Sequence, residues 1–138
     1  MSRTAAIFLL GSALLFASNF SEAVRLYKDG RLAEAKEYFE QAYHKDGVDA
    51  AGYFLGIYYI EGLGGEEQDL QKAEHYLIRA AQSGNVRARC ALAKIYRLRK
   101  RPELADETLG DIDPGSCERL NVARTAAEHT TKNDVKKD

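Results

Sequence analysis

Apolar residues recur along the chain in the three- and four-residue steps of amphipathic helices, and glycine-bearing turns break the pattern at short intervals. Phe20, Ala23, Val24 and Tyr27 form one helical face. Ser18, Asn19 and Ser21 offer N-caps for that helix, which Asp29-Gly30 stops after Lys28. A second helix is expected over 32–44, with Leu32, Ala35, Phe39 and Ala42 as its stripe and Tyr38 and Tyr43 beside it. After Asp46-Gly47 a third helix covers 49–61 and ends at Gly62-Leu63-Gly64-Gly65. Asp69 caps a fourth, running to 83, with Leu70, Ala73, Leu77 and Ala80 inward. Gly84-Asn85 precedes a fifth over 86–98, carrying Ala88, Leu92, Ile95 and Tyr96. Pro102 suits the first turn of a sixth helix over 103–109, with Leu104, Ala105 and Leu109 apolar. Asp113-Pro114-Gly115 breaks the chain, and Ser116 is the expected cap of a seventh over 117–129, with Leu120, Val122, Ala123 and Ala127. No segment reads as a strand: residues 53–60 have β-type composition, but helices flank them and their register repeats downstream.

That repetition organises the chain. Ala51, Leu55, Gly56 and Tyr59 return 37 residues later as Ala88, Leu92, Ala93 and Tyr96. Ala35, Tyr38, Phe39 and Ala42 return 38 residues later as Ala73, Tyr76, Leu77 and Ala80. A fixed period in this range means stacked helical hairpins, each burying its apolar face against the next. Small alanines let helices approach closely while the rings beside them fill the remaining space.

Composition limits what such a stack does. The chain has 138 residues, room for one small domain; 45% are hydrophobic and 30% charged, which supports a packed core. A formal charge of −1, with both signs spread along the chain, gives no electrostatic case for nucleic acid. The first residues are different: one cation, Arg3, then an uncharged run over 5–17, shorter than the roughly 20 residues that span a bilayer. A cationic start, a short apolar stretch and small residues after it describe a secretory signal peptide over 1–17. Cleavage after Ala23 also fits, but removes the first turns of the first repeat helix, so Ala17 is favoured. An uncleaved anchor and a buried N-terminal helix are the alternatives. The helical domain is then 18–129, with a polar tail over 130–138, and the protein is expected in the periplasm or outside the cell, with no membrane span after signal removal.

Candidate chemistry is sparse. No Ser/His/Asp set, no phosphate-cradling glycine loop after a strand and no CxxC is present, so no enzyme activity and no cofactor are expected. His44, His75 and His129 lack metal-ligand spacing, and Glu66-Glu67-x-Asp69 lacks the alternating oxygens of a calcium loop. Those acids instead complement the N-terminus of the next helix. The one basic run, Arg97-Leu98-Arg99-Lys100-Arg101, reads as a solvated loop that offsets a helix C-terminus, with a membrane surface or an acidic partner as the functional alternatives.

One stretch carries a specific motif: Leu55-Gly56-x-x-Tyr59, Gly62-Leu63-Gly64, Asp69-x-x-Lys72-Ala73, Tyr76, Ala80-Ala81-x-x-Gly84 and Ala88. It resembles the Sel-one-like repeat, a subclass of the tetratricopeptide-like helical repeats. Gly56 and Ala80 are expected to let backbones touch, Gly62 and Gly64 to adopt left-handed turns, and Lys72 to face solvent. The chain departs from the family pattern at Gly65, where a valine is usual, and in one extra residue before Asp69. The units at about 18–50 and 86–115 have shorter loops and are divergent. The resemblance implies a right-handed α-α superhelix (a solenoid) of about three helix-turn-helix repeats plus a C-terminal capping helix, binding proteins or peptides on its concave face.

By the family's register, the first helix of each pair lines that face. This gives Phe20, Val24, Tyr27 and Lys28, then Tyr53, Ile57, Ile60 and Glu61, then Cys90, Lys94 and Arg97. The competing reading packs Tyr53, Ile57 and Ile60 against the next helix. Cys90 and Cys117 fall near equivalent positions of consecutive first helices, and export favours a bridge between them over two separate thiols. A free Cys90 among Arg87, Arg89 and Lys94 is instead a reactive thiol. The functional expectation is a non-enzymatic adaptor of the bacterial envelope, a regulatory inhibitor or immunity-type binder of a protein or peptide. The alternative is a structural assembly factor for an envelope or exopolysaccharide machine.

Overall fold

The computed structural model describes residues 19–120, and these are helical without a strand. The expected leader, residues 121–129 of the last expected helix and the polar tail lie outside them. The helices are α1 (19–28), α2 (Leu32–His44), α3 (Asp49–Glu61), α4 (Leu70–Gln82), α5 (Val86–Leu98), α6 (Pro102–Leu109) and α7, which begins at 114 and continues to the last described residue. From α2 to α6, each helix packs on the next in sequence, and α3 also touches α5 across α4.

Two apolar clusters share α3. Ala51, Leu55 and Tyr58 face Ala23 and Leu26 of α1 and Ala35, Phe39, Ala42 and Tyr43 of α2. Tyr53, Ile57 and Tyr59 face Ala73, Leu77 and Ala80 of α4 and the inner side of α5, a cluster that continues to Ala105 and Leu109 of α6. A helix that is apolar all round belongs between two layers, and α3 sits there. Full burial of a leucine or phenylalanine stabilises by roughly 2 kcal/mol, so Leu55, Phe39 and Leu77, each 0% exposed, anchor the stack.

The close approach to a neighbouring backbone falls at a different glycine from the one expected. A Cβ on Gly52 would lie 2.8 Å from the Tyr76 carbonyl oxygen and 3.0 Å from the Tyr43 ring, so Gly52 sets the α3–α4 separation. Gly56 instead makes room for the Leu77 side chain, 2.5 Å from where its Cβ would be. Gly64 is required twice over: its φ is +63°, and a Cβ there would meet the Tyr58 ring at 2.9 Å and the Leu32 carbonyl at 3.2 Å.

Caps mark the helix starts. Asp69 Oδ1 accepts from the backbone N–H of Gln71 (3.1 Å) and Lys72 (3.0 Å), and Asn85 Oδ1 accepts from that of Ala88 (2.9 Å). The last helix departs from the sequence expectation. Asp113, not Ser116, is its cap: Asp113 Oδ2 accepts from the Ser116 N–H at 3.1 Å, and Pro114 opens the helix where its missing N–H does no harm. Asn19, offered as a cap, is already helical, and its side-chain amide donates to Asp46 at 2.9 Å.

Candidate functional site

The residues assigned to the concave face separate into three environments. Phe20, Val24 and Tyr27 are half-buried and turn toward α2 and α3. Phe20 meets the Phe39 and Phe54 rings at 6.1 and 6.0 Å, and Tyr27 meets Phe54 at 5.4 Å. Phe54, absent from the sequence-derived set, stacks on Phe39 at 4.5 Å with 10° between the planes and is the centre of this aromatic cluster. Tyr53 and Ile57 are in the core, 8% and 5% exposed. Ile60 is half-buried, and Lys28 and Glu61 are exposed.

Lys94 and Arg97 stand apart from these. They line an open groove of 540 Å³ between α5 and α7, floored by Cys90, Ala93, Leu109 and Cys117 and walled by Leu98, Pro114 and Glu118. Cys90 and Cys117 are at disulfide distance, with Cα atoms 5.4 Å apart and a sequence separation of 27. Neither is a free thiol, so the reactive-cysteine alternative has no structural support. The pair joins α5 to α7, and α7 has no buried side chain among its described residues. Lys94 makes no hydrogen bond or ion pair among the described residues, whereas Arg97 reaches Asp106 at 3.5 Å. Leu98 is 60% exposed, the most open large apolar side chain described.

A second cleft, of 450 Å³, lies where α3 ends and α4 begins, lined by Tyr59, Asp69, Lys72, His75 and Tyr76. Two of its charged groups are already engaged. Asp69 caps α4, and Lys72 sits 5.3 Å from the Tyr59 ring centroid. The neighbouring Lys36 bonds Glu66 at 2.6 Å and Glu40 at 2.9 Å. Burial pulls the Lys36 ammonium toward neutrality, but these two hydrogen bonds outweigh it and hold its pKa above the usual lysine value. The expected role of Glu66 at the α4 N-terminus is thus replaced by a bond across the stack to α2. Burial raises the Tyr58 phenol above its usual range; its hydroxyl donates to the Leu32 carbonyl at 2.6 Å.

The basic run is partly bound into the fold. Arg99 pairs with Glu74 of α4, while Lys100, at φ +58°, and Arg101 are exposed and make no ion pair among the described residues. Arg89 donates to the Thr108 and Leu109 carbonyls at 2.9 and 2.7 Å, binding the C-terminus of α6 as a cation should. Among the described residues no three His, Cys, Asp or Glu side chains converge on a common point, and no helix is long and apolar enough to cross a membrane. No family model, no curated protein and no solved structure matches the chain.

Proposed function

We propose that this chain is an exported adaptor of the Sel-one-like, tetratricopeptide-like kind, a short right-handed solenoid that holds a protein or peptide partner in the bacterial envelope. The observation that carries the reading is the linear order of packing. From α2 to α6 neighbours in sequence are neighbours in space, α3 meets α5, and the apolar contacts run as two consecutive clusters instead of converging on one centre. An array of this kind lines one face with its odd-numbered helices, and such faces hold other molecules. The cysteine pair at disulfide distance favours an oxidising compartment.

The recognition face of this proposal is narrower than the sequence-derived set. Tyr53 and Ile57 support it from beneath, and the side chains left to meet a partner are Lys28, Glu61, Lys94, Arg97 and the half-buried Ile60. Photo-cross-linking in intact cells tests it. A photoreactive residue at position 28, 61, 94 or 97 is expected to give adducts with an envelope protein, and one at position 37 or 107, on the exposed sides of α2 and α6, none. Adducts from both sets alike, or from neither, refute the proposal.

A further inference from the structure

The outer arc of α5 differs from the matching arc of α3. Under the 37-residue repeat, Ala50, Phe54, Ile57 and Glu61 of α3 become Arg87, Ala91, Lys94 and Leu98 of α5. On α3 the first three positions are half-buried or buried, with Phe54 covered by Phe20 and Tyr27. On α5 the corresponding arc is open: Arg87, Lys94 and Leu98 are exposed and only Ala91 is half-buried. These positions follow steps of four, three and four, so they form a straight stripe about 16 Å long.

The charge on this arc is one-sided. Residues 86–101 contain seven cations and no acid, in a chain whose net charge is −1. Acids from neighbouring elements meet some of them: Glu74 on Arg99, Asp106 on Arg97, Asp111 on Arg89, and Glu118 across the groove. Arg87, Lys94, Lys100 and Arg101 have no ion pair among the described residues. The groove beside the stripe holds 540 Å³ with an apolar floor, within the range of roughly 300–1,000 Å³ typical of sites that enclose a ligand group.

We propose that the α5 stripe and the α5–α7 groove together dock an acidic segment of a partner protein. Its carboxylates meet Arg87, Lys94 and Arg97, and one apolar side chain enters the groove beside Leu98. This rests on the adaptor reading and names the chemistry of the partner. The groove favours a peptide segment over a lipid surface, because a recess between two helices fits a protruding side chain. Cys90 and Cys117 build the site by holding α7 as its far wall.

Selection from a random twelve-residue peptide library displayed on phage, using the oxidised full-length chain, tests the idea. The expected pool is enriched in Asp and Glu around an apolar residue. Its affinity falls about tenfold in Lys94→Glu/Arg97→Glu and falls with added salt, while Lys45→Glu, an exposed charge change on the α2–α3 turn, leaves it unchanged. A pool without acidic bias, or one held equally by the double variant, overturns this inference and leaves the adaptor reading standing. No enrichment at all overturns both. Sedimentation of the chain with phosphatidylglycerol vesicles, abolished by the same double variant, assigns the stripe to membranes and also overturns the proposal.

Discussion

Removing the Cys90–Cys117 link should separate the last helix from the stack. The pair encloses a loop of 27 residues' separation, for which chain entropy gives about 3.5 kcal/mol of stabilisation. A domain of this size has a total stability of about 5–15 kcal/mol, so the loss is a large share. It corresponds to a fall in Tm of about 15 °C. The structure also says where the loss is felt. The described part of α7 has no buried side chain, whereas α2 to α5 each bury several. Cys90→Ala/Cys117→Ala should therefore lower Tm by that order and free the amides of 114–120 to exchange, while those of α3 and α4 stay protected. Calorimetry and hydrogen exchange on the oxidised wild type and the double variant measure both. A Tm change under about 3 °C with residues 114–120 equally protected refutes the view that the link holds α7 in place.

Other substitutions test the packing. Gly52→Ala gains about 1 kcal/mol of helix propensity but must move the Tyr76 carbonyl away from α3, so a net loss of about 1–2 kcal/mol is expected in urea titration. Asp69→Ala removes an acceptor from two backbone N–H groups and should cost about 1 kcal/mol by the same assay. Tyr58→Phe leaves the Leu32 carbonyl without its donor and should cost about 1–2 kcal/mol at neutral pH. Because burial holds the Tyr58 proton more tightly in the folded chain, its contribution is complete below the ordinary tyrosine pKa of 10.0 and is lost as pH rises above it. Wild type should thus lose stability above about pH 10 more steeply than Tyr58→Phe. Tyr76 and Tyr96, raised by burial in the same direction, leave part of the slope in the variant.

Local signals made the helices legible. The expected limits of the second, third and fifth helices, 32–44, 49–61 and 86–98, coincide with the observed ones, because a turn breaks each periodic run: Gly47 follows the second, Gly62 the third, and the polar Arg99-Lys100-Arg101 loop, with Lys100 at φ +58°, the fifth. At the last helix, reading Asp113-Pro114-Gly115 only as a breaker, with Ser116 as the cap, hides both the capping carboxylate of Asp113 and the fitness of Pro114 for a first turn. The candidate face was less legible for a physical reason. In α3 nearly every residue is apolar, so periodicity gives no direction, and which residues face outward depends on what α1, α4 and α5 cover. Phe54 shows this: nothing in its spacing separates it from Tyr53, yet it completes the aromatic cluster with Phe39. On α5 charged and apolar positions alternate with helical period, and Lys94 and Arg97, assigned to the binding face by register, are exposed.

Lysine acetylation mapped by mass spectrometry, with and without the partner recovered by cross-linking, tests the central claim most directly. Lys28 and Lys94 lie exposed on odd-numbered helices, while Lys72 lies exposed on α4 and Lys45 on the α2–α3 turn. Binding across the odd-helix face predicts that the partner slows modification of Lys28 and Lys94 and leaves Lys45 and Lys72 unchanged. Protection of Lys45 and Lys72, with Lys28 and Lys94 modified at the free rate, contradicts it.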